Sequence, residues 1–325
     1  MHAIRQYEFG PAATLRYEQV ADPVPGAGQV RIAVAAAGVH LIDTRIRAGE
    51  AMGPYPPPEL PMTPGREVAG VVDQTGPDVD ESWLGTRVVA HLGPASGGYA
   101  ELAVRDADAL HPIPDGLADD AAVAMIGTGR TTMGVLETAR LTGDDVVLVT
   151  SAAGGVGSLL VQAGRRSGAT VVGVAGGPAK VEHVRGLGAT VAVDYTAPGW
   201  ADEVRAALAG RDVTVVFDLV GGEQGRTALE LLGRGGRALV LGWSSGRATT
   251  LDGADVVGRG ITVAPAFAPA LLSRGVRSLE ERALAVAARG ELTPVVGATF
   301  PLARAADAHT ALESRGTIGK VVLTP

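Results

Sequence analysis

No cysteine occurs among the 325 residues, so disulfides, thiolate nucleophiles and cysteine-held metals are excluded together. There is no surplus of positive charge either. Lysine and arginine number 28 against 35 aspartates and glutamates, a formal net charge of −7, which gives nucleic acid or an anionic membrane no electrostatic hold. The start, Met1-His-Ala-Ile-Arg5, meets charge early and lacks the apolar core of a secretion signal, so a cytoplasmic protein is expected. The uncharged stretch Val146–Gly164 has the length of a membrane span, but turn-forming residues break its centre, and it reads as strand, turn and helix. Low-complexity linkers are also missing, and the only repeat is a strand–helix rhythm.

That rhythm is carried by six short apolar runs: Val146-Val-Leu-Val-Thr150, Thr170-Val-Val-Gly-Val174, Thr190-Val-Ala-Val-Asp194, Val213-Thr-Val-Val-Phe217, Arg237-Ala-Leu-Val-Leu241 and Ile261-Thr-Val-Ala264. Strands apolar on both faces belong to parallel sheets covered by helices, and a helix-forming stretch is expected after each of the first five runs. The pattern predicts a doubly wound Rossmann-type domain. Directly after its first strand comes Ser151-Ala-Ala-Gly-Gly-Val-Gly157, a phosphate-binding turn opening a helix. Gly154 lets the backbone approach a pyrophosphate, Gly157 lets the helix pack close to the strand, and the N–H groups from Ala153 to Gly157, with Gly155 and Val156 between, face the anion. Ala152 stands where the usual fingerprint has its first glycine. The second strand ends in Val174-Ala-Gly-Gly-Pro178, without the carboxylate that NAD-specific sheets place there, and Lys180 follows.

The flanks have another texture. Val30-Arg-Ile-Ala-Val34, Val68-Ala-Gly-Val-Val72, Arg87-Val-Val-Ala90 and Tyr99-Ala-Glu-Leu-Ala-Val104 are broken by turns and proline clusters, which predicts a small, largely antiparallel barrel. Near the C-terminus, Ser278 to Arg289 reads as an amphipathic helix with Ser278 and Glu281 in capping-box spacing, and Lys320-Val-Val-Leu323 as a closing strand. The expected division is one domain of residues 1–125 and 265–325 and another of 126–264.

Several segments in order, Gly38-Val-His-Leu-Ile-Asp-Thr-Arg45, Pro64-Gly-Arg-Glu-Val-Ala-Gly70, Ala152-Ala-Gly-Gly-Val-Gly157, Asp194-Tyr195, Phe217-Asp-Leu-Val-Gly-Gly222 and Gly319-Lys-Val-Val-Leu323, resemble the zinc-independent quinone oxidoreductases, the zeta-crystallin-like branch of the medium-chain dehydrogenase/reductase superfamily. The resemblance implies an α/β protein, with a GroES-like β-barrel substrate domain beside the doubly wound Rossmann domain and the active site in the cleft between them. It implies NADPH as cofactor, with Lys180 and Tyr195 on the 2′-phosphate. Thr131, Gly176, Gly242, Trp243 and Lys320 join the cofactor residues, although Trp243 would serve equally in packing.

The zinc branch of that superfamily is not followed. Where it carries its first cysteine the chain reads His40-Leu41, and where it carries Gly-His-Glu the chain reads Gly65-Arg66-Glu67. A guanidinium in that place opposes a dication. The resemblance puts His40, Asp43, Arg45 and Tyr55 in the pocket of a small electrophilic acceptor, a quinone or an α,β-unsaturated carbonyl compound. His40 and Arg45 stand where the family has asparagine and often tyrosine. Asp43 and Thr131 would serve equally as helix caps. A homodimer is expected, paired through the edge strand at Ile261-Thr-Val-Ala-Pro-Ala-Phe267. Two other classes stay open at this point: a non-catalytic NADPH-binding sensor or structural protein, and a metal-dependent alcohol dehydrogenase.

Overall fold

The computed structural model describes residues 1–50, 57–93, 96–266 and 275–325, and the chain divides into two units, Met1–Gly127 with Ala283–Pro325, and Thr128–Arg282. Along the chain the first unit contributes β1 (His2–Gln6), β2 (Leu15–Gln19), β3 (Gln29–Val39), α1 (Leu41–Arg47), β4 (Glu67–Thr75), β5 (Arg87–His91), β6 (Leu102–Asp106), β7 (His111–Pro112) and α2 (Asp119–Ala124). The second contributes α3 (Arg130–Ala139), β8 (Val146–Val149), α4 (Gly155–Arg166), β9 (Thr170–Ala175), α5 (Pro178–Gly186), β10 (Val191–Asp194), α6 (Trp200–Leu208), β11 (Val213–Asp218), α7 (Gly222–Leu231), β12 (Leu232–Val240) and β13 (Thr262–Pro265). Helix α8 (Arg277–Ala288) straddles the division, and β14 (Val296–Pro301), α9 (Ala305–Glu313) and β15 (Lys320–Thr324) return to the first unit.

In the second unit the strands form one parallel sheet of order β10-β9-β8-β11-β12-β13, the doubly wound arrangement expected from the six runs. Alternation explains why both faces of each strand are apolar. Val147, Val149 and Val171 point to one face, where Val135 of α3, Leu160 and Val161 of α4 and Val184 of α5 cover them. Val146, Leu148 and Val172 point to the other, under Val204 and Leu208 of α6 and Leu229 of α7. Each such side chain taken fully from water contributes about 1.5–3 kcal/mol. The crossover from β12 to β13 departs from expectation. Instead of an α-helix it holds a loop and a single helical turn around Ala254–Gly258. Glycines at 242, 246, 253, 258 and 260 make a sustained helix there costly.

The first unit builds a largely antiparallel sheet of order β14-β15-β3-β4-β5-β7 with β6 also on β3; β14 and β15 pair in parallel. Along β3 the buried residues Val30, Ile32 and Val34 alternate with half-buried Arg31 and Ala33, which is how a strand presents one face to a core. That core gathers Ile4, Ile32, Val68, Val88, Tyr99, Leu110, Val321 and Leu323.

Two expectations are corrected. The division after the sheet falls at Arg282/Ala283 rather than at 265, because the start of α8 is tied to α3 by Arg130–Glu280 at 3.0 Å and by an Arg282–Glu137 ion pair. Ser278 does not cap α8. The helix starts at Arg277, the carbonyl of Val276 accepts from Glu280 N–H at 3.1 Å, and Glu281 pairs instead with Arg277 at 3.0 Å.

Candidate functional site

The phosphate-binding turn has the geometry its glycines require. Gly154 is the N-cap of α4, with extended backbone and no side-chain cap, so the first N–H groups of the helix are left for an anion. A Cβ on Gly157 would lie 2.2 Å from the Ser151 carbonyl oxygen and 2.9 Å from Ala152 Cα, so any side chain there forces helix and turn apart. The turn follows β8, which pairs with β9 on one side and β11 on the other, the place where strand order reverses.

At the end of β9 the Gly177 N–H and then Thr196 bind the Asp194 carboxylate and hold it below its ordinary value. Asp194 thereby ties the β9–α5 turn to the end of β10. The Tyr195 hydroxyl lies 3.6 Å from where a Cβ on Gly176 would sit, so these two cofactor candidates are neighbours. Lys180 is half-buried in the first turn of α5, which Pro178 opens without a side-chain cap. Thr131 is half-buried on α3. Gly242 and Trp243 lie in the loop after β12, and Trp243 is 48% exposed. The buried carboxylate of Asp218 holds the neighbouring turn between β11 and α7, its Oδ1 accepting from the N–H groups of Val220 (3.0 Å) and Gly221 (2.9 Å), and the carbonyls of Leu219 and Val220 in that turn accept from Ser244 (3.3 Å) and Ser245 (2.9 Å) of the Trp243 loop.

In the first unit the structure assembles a cluster of charged side chains. Glu67, at the head of β4, and Lys320, at the head of β15, are both buried, and Lys320 Nζ lies 2.8 Å from Glu67 Oε2. His40, the residue before α1, brings Nε2 within 2.6 Å of both Lys320 Nζ and Glu67 Oε1. Burial pushes the Glu67 carboxyl up, but His40, Lys320 and His91 outweigh it and hold it well below the usual carboxylate range. Burial pulls the Lys320 ammonium below the usual lysine value while Glu67 opposes that fall, so Glu67 stays ionised and Lys320 gives up a proton more readily than a surface lysine. The fit is close: a Cβ on Gly127 would lie 1.7 Å from Glu67 Oε1, so only glycine leaves the carboxylate its place.

Asp43 is the second buried carboxylate. It accepts from His40 N–H at 2.8 Å, the reach-back that caps α1, and from the Tyr99 hydroxyl at 3.2 Å, while Arg66 Nε reaches its Oδ1 at 3.3 Å. Tyr99 also lies 3.1 Å from His309 Nε2, and Arg47 donates to His309 Nδ1 at 3.3 Å. This order assigns the His309 proton to Nε2 and directs the Tyr99 proton to Asp43. Burial first, then Asp43, raises the Tyr99 hydroxyl well above its ordinary value.

Thus His40, Asp43 and Lys320 come together, the last from among the cofactor candidates into the charged cluster. Arg45 is half-buried on α1 with Nε 3.9 Å from Glu50. Tyr55 lies outside the described residues. Arg66, Glu67, Tyr99 and His309 were not singled out as acceptor residues from the sequence. One signal was available for Glu67: like Lys320, and with the opposite sign, it is a single charge heading an apolar strand.

A zinc ion does not fit these residues. Two potential ligands, His40 and Glu67, converge on the Lys320 ammonium, which already supplies the cation there, and among the described residues no group of three or more His, Cys, Asp or Glu is placed to hold a metal.

Residues 26–115 match the alcohol dehydrogenase GroES-like domain and residues 187–323 the zinc-binding dehydrogenase family. A quinone oxidoreductase of Sus scrofa is 32% identical over 331 residues, covering 99% of this chain and 97% of the relative. A 2-haloacrylate reductase of a Burkholderia species is 34% identical, covering 95% and 94% respectively. Among solved structures, Escherichia coli quinone oxidoreductase complexed with NADPH superposes with a TM-score of 0.88 at 28% identity, covering 100% of both chains.

Proposed function

The chain belongs to the zeta-crystallin-like quinone oxidoreductase family of the medium-chain dehydrogenase/reductase superfamily, and from that premise we propose that it is an NADPH-dependent reductase of quinones or α,β-unsaturated carbonyl compounds, acting without zinc. The observation that carries this reading is the uncapped start of α4, packed onto its turn through Gly157 at the switch point of the sheet. When bound, NADPH supplies a hydride from its nicotinamide C4.

The chain's own residues bind and orient. In this reading the N–H groups of Ala153 to Gly157 hold the pyrophosphate, and Lys180 and Tyr195, beside Gly176, take the 2′-phosphate that no carboxylate after β9 repels. Thr131, Gly242 and Trp243 border the nicotinamide. In the first unit, His40 steadies the negative charge that develops on the acceptor oxygen, while Glu67, Lys320 and Asp43 hold the imidazole in place. Arg45 and Tyr55 complete the acceptor residues. Zinc independence is supported by the Lys320 ammonium in contact with both His40 and Glu67.

A homodimer belongs to the same proposal. β13 is the terminal strand of the six-stranded sheet, Ile261 before it is buried, and Val256 and Val257 nearby are 49% and 86% exposed, an apolar margin that a second copy would cover. A cytoplasmic location follows from the need for NADPH as reductant.

The test is turnover of purified protein with NADPH against quinones and enones, with NADH and strong chelator as controls. NADPH preference and chelator-resistant turnover are expected; equal use of NADH, or one tightly bound zinc whose removal abolishes activity, would overturn the respective parts. His40→Ala should lower turnover with little change in NADPH affinity, since a contact made mainly in the transition state is read in the rate.

A further inference from the structure

We propose that Arg66 receives a carboxylate carried by the acceptor, so that the favoured substrates are enones or quinones bearing a negative group close to the reducible bond. This rests on the reductase reading above and narrows its substrate class.

The charges of the cluster are not equally accessible. Glu67 and Asp43 show 0% and 3% of their side chains to solvent and Lys320 shows 5%, whereas Arg66 and His40 each show 22%. What an approaching molecule meets is therefore a guanidinium and an imidazole, with the carboxylates enclosed behind them. A surface of that kind recognises an anion.

The way Arg66 is held supports the same assignment. The one hydrogen bond of its side chain among the described residues is a single contact from Nε to Asp43 at 3.3 Å, and Asp43 already accepts from His40 N–H and Tyr99. Two other arginines of the unit that are as little exposed, Arg31 and Arg47, use more of their donors within the protein. Arg31 grips Asp73 through Nε at 3.0 Å and Nη2 at 2.9 Å. Arg47, 3% exposed, bonds the Gly10 carbonyl, His309 and Glu313. Arg66 keeps both terminal nitrogens unspent among the described residues, a planar pair of donors that matches the two oxygens of a carboxylate.

The experiment compares trans-4-oxo-2-pentenoate with its methyl ester, two acceptors with the same enone and different charge, in NADPH-driven turnover by the parent protein, Arg66→Gln and Arg66→Lys. In the parent, kcat/KM for the acid should exceed that for the ester by roughly tenfold to a hundredfold, mostly through KM, the scale of one charge-assisted contact. Arg66→Gln should bring the ratio close to one, and Arg66→Lys should restore part of it. Added salt should raise KM for the acid more than for the ester, a reading that needs no variant and stands if Arg66→Gln fails to fold. Equal use of acid and ester by the parent, or a ratio unchanged in Arg66→Gln, would overturn the assignment while leaving the reductase reading intact. Turnover of neither compound, nor of any neutral quinone or enone, would overturn that reading and this assignment with it.

Discussion

At the turn between β8 and α4 the groups that would meet a phosphate are backbone N–H groups, and the side chains matter mostly by being missing; in the charged cluster of the first unit every group facing outward is a side chain held by another charged side chain. The difference sets how each fails. The turn is broken by adding atoms where Gly157 leaves 2.2 Å to the Ser151 carbonyl, and the cluster by removing one charge and stranding its partner.

The largest effect is expected from the buried pair. Lys320→Met should destabilise the protein by about 3–5 kcal/mol, because Glu67 is left ionised and enclosed, and Glu67→Gln in the same chain should recover much of that loss. Denaturant unfolding of the two single variants and the double checks this; additive losses would mean that the pair is not coupled.

Second is the acid limb. Burial holds His309 down at about 4 from an ordinary value of 6.5. Because the folded-state value is depressed, the stability tied to a neutral His309 is present above pH 6.5 and lost as pH falls toward 4, roughly 3 kcal/mol across that window. Stability measured against pH should therefore be flatter in His309→Gln between those limits. An equally steep limb in the variant would move the effect to other groups.

On the cofactor side, Lys180→Ala should weaken NADPH by about 1.5–3 kcal/mol while leaving NADH nearly untouched, read by titration with each nucleotide. Gly157→Ala sharpens the contrast through its sign. In an unconstrained helix the change stabilises by up to about 1 kcal/mol, but here the methyl group meets the Ser151 carbonyl, so lower thermal stability and weaker NADPH binding are expected together. A rise in melting temperature with unchanged binding would show that the close approach is not needed. The smallest effect belongs to Glu50→Gln: the 3.9 Å contact of this largely exposed carboxylate with Arg45 is worth about 0–1 kcal/mol, so stability in thermal unfolding should barely move.

The sheet and the phosphate turn of the second unit were legible because their signals are local. Val146–Val149 alternates between two covered faces, and Gly154 and Gly157 act within one turn. Where local signals misled, other contacts had decided: Ser278 has the spacing of a cap, yet α8 begins at Arg277 with the Val276 carbonyl accepting from Glu280, and the ties of Glu280 and Arg282 to α3 accompany the unit division at 282. His40 and Asp43 were named from one segment resembling the family, and their contact follows from their closeness in sequence. The links among Asp43, Tyr99 and His309 span 56 and 210 positions, and no periodicity records contacts at that range.

The amino-acid sequence by itself determined the parallel sheet, the phosphate turn, the lack of an acid after β9 and the lack of cysteine ligands, because strand alternation, glycine backbone freedom and residue chemistry act within a few positions. Only the tertiary structure decided that Lys320 would bind Glu67 from 253 positions away, set an ammonium against both His40 and Glu67, and leave Arg66 among the outward-facing charges. Which opposite charges meet inside a core depends on which strands become neighbours, and β15 beside β3, itself beside β4, is a consequence of the whole sheet closing around its apolar side chains.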